Sequence, residues 1–300
     1  MKIWDSEQLW LKAKTYAERA NEVSHGNPDF PMRSALSLEL LARAALTRVH
    51  PVLNADPRDD VSIMYACGFP VPGQPKSIPA HSVYLRLEKI VPGFSKAQRE
   101  VCDFLALLRN QELHTSELAF SNLKESKWLP RYYEVCRLLC GFMGKPLEAF
   151  LGLEIAKTAD ALIATLARQT ETAVKRRIAD QAKSFSQKKP AARKQLVFEA
   201  TIALKTTSPG TTKEACPSCR TEGILSGSLI KELSPEYMHD RLYIDQEFLA
   251  NQFECLACGL RLQDVEEIAA AGLEPRFADH RETNLHELYQ PEMMYEYDNM

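Results

Sequence analysis

Two sets of residues in this chain have the types and spacings that chemistry needs. The first is the run Arg109-Asn110-Gln111-Glu112-Leu113-His114. A histidine exchanges protons near neutral pH, and an arginine offers a fork of donors that matches a phosphate. Together they could act on a phosphate ester, one group moving a proton and the other holding the charge that builds on phosphate. The second set is Cys216-x2-Cys219 with Cys255-x2-Cys258. Each pair puts two thiolates on one side of a tight turn, and two pairs complete a tetrahedral four-sulfur shell for Zn2+. Four protein ligands leave no open position, so this zinc is expected to be structural. Gly259 follows the second pair, at a point where such a turn often needs a positive φ.

Spacing alone does not single out Arg109 and His114, because Arg281 and His286 repeat it. Context separates them. "SKAQREVCDFLALLRN" begins with a capping box, Ser95 and Gln98, and carries a stripe of Val101, Leu105 and Leu108. The first motif therefore ends an amphipathic helix, whereas Arg281 and His286 lie in an acidic stretch with no such helix. On a continuing helix Asn110 and His114 share a face, while Arg109 points about 140° away from His114. One chain alone makes a poor site of them unless the helix ends or Arg109 swings round.

The elements that must position these residues are mostly helical over the first 185 positions. "DSEQLWLKAKTYAERANEV" and "RSALSLELLARAALTRV" have helical apolar stripes, separated by the breaker "HGNPDFP". Residues 54–79, rich in Pro, Gly and Asp, read as a long loop, and "SVYLRLEKIV" as a short helix stopped by Pro92-Gly93. "PRYYEVCRLLCGFM" places Pro130 in a first turn, and the stretch from Pro146 to Phe185 reads as one long helix or two. Beyond Pro190 the character changes: "LVFEATIAL", 196–204, alternates with the period of a strand. The expected division is a helical domain at 1–155, a long helix, basic linker and strand at 156–211, a zinc-binding module at 212–272 and an acidic tail at 273–300. Cys67, Cys102, Cys136 and Cys140 read as buried small hydrophobes.

The helical domain resembles the HEPN superfamily, a helical-bundle family whose hallmark is R-x4-6-H, often with Asn after the Arg. The resemblance covers residues 1–155 and rests on "RNQELH" together with the apolar helix "SALSLELLARAAL", interrupted by Glu39. It implies a metal-independent endoribonuclease leaving 2′,3′-cyclic phosphate ends. His114 would be the proton-transfer residue, Arg109 the phosphate clamp, and Asn110 would orient the phosphate or the ring. It also implies a homodimer through the helical domain, with paired motifs lining one cleft. Glu39 has two readings: an ion pair with Arg43 one turn on, or a brace for Arg109 or His114. Ser116 stands where some family toxins carry a modifiable Tyr. A toxin or antiviral-defence role follows family habit. The alternative is a non-catalytic HEPN-like protein that binds nucleotide or a partner. Residues 212–265 resemble a zinc ribbon with an insertion near 228–250, so the expected fold is mainly α: a HEPN-like bundle plus a small β-rich ribbon.

Charge is unevenly spread. Residues 151–214 carry 12 Lys and Arg against 6 Asp and Glu, and residues 215–300 carry 6 against 17. The run 175–194 holds Lys175, Arg176, Arg177, Lys188, Lys189, Arg193 and Lys194, which read either as a solvated helix face or as RNA-backbone contacts. "HELYQPEMMYEYDNM" mixes carboxylates with Tyr and Met and suits docking onto a regulatory protein partner or onto the basic run. The apolar and charged fractions, 45% and 26%, are those of a globular protein. The first residues carry charges where a signal peptide needs an apolar run, and no stretch is apolar enough for a membrane span. A cytoplasmic address is therefore expected.

Overall fold

The computed structural model describes residues 3–121, 123–204, 208–232, 234–238 and 241–284. The chain divides into two compact units, Met1–Thr170 and Glu171–Met300.

Among the described residues the first unit is helical, apart from an isolated antiparallel bridge between Ala55 and Ser77. Asp5 caps α1 (Ser6–Asn21) by accepting from the Gln8 backbone N–H. Next come α2 (Asp29–Val49), a 3-10 turn (Pro51–Asn54), α3 (Asp60–Ala66), α4 (Ala80–Ile90) and α5 (Lys96–His114). Then follow α6 (Glu125–Phe142), α7 (Leu147–Leu151) and α8 (Leu153–Ser186), within which the two units meet in sequence. Helix α2 is the hub and packs against α1, α4, α5 and α6. Its Leu38, Leu41, Ala42, Ala45 and Leu46 are fully buried. Small residues on both sides, Ala13, Ala17 and Ala20 on α1, let the two backbones approach, so that Ser37 Oγ donates to Ala13 O across the seam at 2.9 Å.

Several sequence expectations need correction here. The stretch 54–79 is not one loop, since α3 lies inside it. Pro130 sits inside α6, not in its first turn. The two-helix reading of 146–185 is the one realised: Gly152, at φ +83, ends α7.

The second unit corrects the fold class. Helix predominates among the described residues, but the C-terminal part is no small ribbon appended to a bundle; it builds a curled antiparallel sheet. Among the described residues the sheet has six strands, β1 (Thr211–Ala215), β2 (Glu222–Glu232), β3 (Glu236–Met238), β4 (Arg241–Glu254), β5 (Arg261–Leu262) and β6 (Arg276–Asn284). Strand β4 is central: β2 and β3 pair with it, and so do β5 and β6. The described residues of the supposed insertion at 228–250 belong largely to β2, β3 and β4, with a ladder shift at Leu229/Lys231. Residues 276–284, expected in a tail, are strand β6; residues 285–300, with His286, lie outside those described.

The expected strand at 196–204 is instead helix α9 (Pro190–Ala203). Its alternation is coincidental. Pro190 opens a first helical turn, and Val197, Ala200 and Leu204, at helical spacing, turn inward. The core of this unit joins Val197 and Ala200 to Val174 of α8, Leu225, Phe253, Leu262 and Ile268 of α10 (Val265–Ala270). Among the described residues no helix is long and apolar enough to cross a membrane.

Candidate active site and metal centre

The capping box that the sequence announces is formed: Ser95 Oγ accepts from the Ala97 backbone, while Gln98 Oε1 accepts from the Ser95 N–H at 3.0 Å. It starts α5, whose buried face carries Gln98, Cys102, Leu105 and Ala106. Arg109 is next on that face, four residues beyond Leu105. It therefore points toward α2, where Glu39 lies on a facing turn.

Glu39 divides its two oxygens. Oε1 accepts from Arg43 Nε at 3.0 Å and Nη2 at 2.8 Å, and Oε2 accepts from Arg109 Nη1. The two sequence readings of Glu39 are thus both realised as contacts, an Arg43 pair and an Arg109 brace. All three side chains are only 13–14% exposed. Arg43 Nη2 also donates to Ile78 O at 3.0 Å, and Arg109 Nη2 and Nε donate to Asn110 Oδ1 at 2.8 and 3.3 Å. Burial lowers the pKa of both arginines, yet arginine starts so high that both stay charged. Two cations on one carboxylate leave the cluster with a net positive charge. The sequence offers Arg43 and Arg109 as alternative partners of Glu39; the structure gives the carboxylate both at once.

His114 is the last residue of α5 and is exposed. Among the described residues nothing hydrogen-bonds to its ring. Arg109 and His114 therefore point as helical spacing dictates, one inward and one outward, with Asn110 exposed on the outer side. Glu39→Gln is expected to lower stability by about 2–3 kcal/mol, below the full range for a broken buried pair because some solvent reaches these groups. Urea unfolding checks this; a change under about 0.5 kcal/mol, the size of an ordinary surface substitution, would show that the cluster holds nothing in place.

The basic residues separate into two groups. Lys175 pairs with Glu171, and Arg176 lies 3.8 Å from Asp180. Arg177 is a strut: its Nη1 and Nη2 reach Glu267 at 2.8 and 2.7 Å, and Nη1 also donates to Arg261 O. The hydrogen bond to Glu267 raises its pKa. Lys188, Lys189, Arg193 and Lys194 form no side-chain ion pair or hydrogen bond among the described residues.

The four cysteines converge. Their sulfurs all lie within 4.8 Å of one another, with Cys216 and Cys258 at 3.6 Å and Cys219 and Cys255 at 3.5 Å. A tetrahedron with Zn–S bonds of about 2.3 Å spaces its sulfurs about 3.8 Å apart, so a metal ion fits. The same turn is built twice. Arg220 N–H donates to Cys216 O and Gly259 N–H to Cys255 O, at 3.0 and 2.8 Å. Cys216 N–H then donates to Thr221 O and Cys255 N–H to Leu260 O. The residue after each pair is left-handed, Gly259 at φ +80 and Arg220 at φ +64. Gly259 adopts this freely; Arg220 does so against the sterics of its Cβ. Hydrogen bonds from Cys216 and Cys255 hold Cys258 far below the usual thiol range, while the same sharing pushes Cys255 up. Such a cluster settles when a cation replaces the shared protons.

Of the other cysteines, Cys102, Cys136 and Cys140 are buried as expected, and burial pushes Cys140 up to about 12. Cys67 is exposed, which corrects its reading as buried; it lies at the C-cap of α3. No protein-family model, no curated protein and no solved structure matches this chain.

Proposed function

We propose that this protein is a metal-independent endoribonuclease of the HEPN type, with Arg109, Asn110 and His114 as its working residues. The observation that carries the reading is the Glu39 bridge, which holds Arg109 in one orientation at the end of α5, one turn from an exposed histidine. His114 takes the 2′-hydroxyl proton, the 2′-oxygen attacks phosphorus, and the bond to the 5′-oxygen breaks. A proton returned to that oxygen leaves a 2′,3′-cyclic phosphate and a 5′-hydroxyl. Arg109 offsets the charge on the phosphate in flight, and Asn110 orients it. Zinc in the four-cysteine centre is structural, and the cellular role is that of a toxin or antiviral-defence effector.

The working unit is a homodimer formed by the helical unit. Arg109 turns inward and His114 outward, so a second copy is needed to complete a cleft. Phe104 and Leu107, 43% and 55% exposed, lie on the same outer stripe of α5 as His114 and offer apolar surface for that contact. Sedimentation at tens of micromolar protein should give a dimer that Leu107→Glu converts to monomer; a wild-type monomer ends the two-copy account.

The direct test is single-stranded RNA incubated with the protein, EDTA being added with the substrate so that structural zinc is not stripped beforehand. Products with cyclic phosphate ends are expected. A second reading, a non-catalytic binding protein, is favoured by the burial of Arg109 in its ion pair with Glu39. Tight RNA or nucleotide binding without cleavage, in a protein confirmed to be dimeric and zinc-loaded, would decide for it.

A further inference from the structure

Helix α9 exposes apolar side chains as well as burying them. Val197, Ala200 and Leu204 face the core. Phe198 and Ile202, one turn apart, nevertheless stand 60% and 47% exposed. Lys194, exposed, lies one turn before Phe198 on that outer stripe. The helix starts at Pro190 with no side chain capping it, and Lys188 and Lys189 immediately precede that uncapped end. Lys188, Lys189 and Lys194 have no carboxylate partner among the described residues, unlike Lys175, Arg176 and Arg177 upstream. Exposed cations lead into an exposed ring.

From this arrangement we infer that the outer face of α9 is a binding surface for single-stranded RNA, with the three lysines on successive phosphates and a base stacked on Phe198. The inference rests on the reading of this protein as RNA-directed and names where and in what form the RNA is held. Charge complementarity selects a polyanion. The ring selects one whose bases are free to stack, which a duplex does not offer. A lipid surface fits less well: α9 spends its main apolar face on its own core, leaving two side chains for a bilayer where a membrane-bound helix presents a whole face. Arg177, bound to Glu267, takes no part.

The test uses the full chain and a fluorescent 2′-O-methyl oligonucleotide, which binds but cannot be cut at the 2′-position, so binding is read independently of cleavage. The single strand should bind more tightly than the same sequence as a duplex. Phe198→Ala should weaken it about 5- to 150-fold, the range for one stacked base, Phe198→Trp should restore it, and Phe198→Leu should not. Replacing Lys188, Lys189 and Lys194 together by Gln should reduce the slope of log affinity against log salt by about 2, at roughly 0.7 per contact on a single strand. Circular dichroism confirms that each variant is folded. Equal duplex binding, or Phe198→Leu matching wild type, overturns the stacking surface. Phe198-dependent capture by phosphatidylserine vesicles without RNA binding overturns it in favour of a membrane. Loss of RNA cleavage with binding intact would instead count against the nuclease reading alone.

Discussion

His114→Ala should reduce RNA cleavage by about 10²–10⁴-fold, the usual worth of positioned acid–base help, and should leave thermal unfolding of the helical unit nearly unchanged. The separation of the two effects follows from where the residue sits. His114 is exposed, ends α5, and its ring has no hydrogen-bond partner among the described residues. Its removal therefore costs a few tenths of a kcal/mol, as a surface substitution does. Arg109→Ala should impair cleavage similarly, but at a cost to the fold of about 1–2 kcal/mol, since it strips one partner from the part-buried Glu39 carboxylate. The sequence alone points to two open-cleft residues with little structural role; the ion pair changes that expectation for Arg109. His286→Ala, with the same spacing from Arg281, is the internal control. If His114→Ala and His286→Ala cleave alike where wild type is active, the motif is not catalytic.

Cys255→Ser should empty the metal centre and unfold the sheet of the second unit while the helical signal of the first persists. Protein purified without chelators should hold one zinc per chain. Cys216 and Cys255 are fully buried at the base of their turns, so a serine there leaves a buried hydroxyl with three thiols and no competent tetrahedron. Structural zinc in small modules is worth about 10–16 kcal/mol of binding free energy. That is comparable to the entire stability of an ordinary domain, about 5–15 kcal/mol, so the effect should be close to all or none. Elemental analysis, then limited proteolysis read for cleavage after residue 210, checks both halves. Less than half an equivalent of zinc in the wild type, or an intact sheet in the variant, removes the metal from the account.

The sequence by itself determined those features whose information is local. The capping box of Ser95 and Gln98, the stripe that runs to Arg109 and the inward and outward directions of Arg109 and His114 all follow from 3.6-residue periodicity. The two cysteine knuckles are local too, each closing over five residues, which is why four thiols separated by 35 intervening positions could still be read as one shell. Tertiary structure decided the rest. The alternation of Leu196, Phe198, Ala200, Ile202 and Leu204 is compatible with strand and helix alike; the core beside Val197 and Ala200 selects the helix. Residues 276–284 are too polar to announce a strand, and they become β6 because nine successive β4 partners satisfy their backbone. Glu39 lies one turn from Arg43 on every helical reading, whereas Arg109 is 70 residues away. Only the packing of α5 on α2 brings the second arginine to the same carboxylate, because side chains distant in sequence meet where apolar faces are buried together.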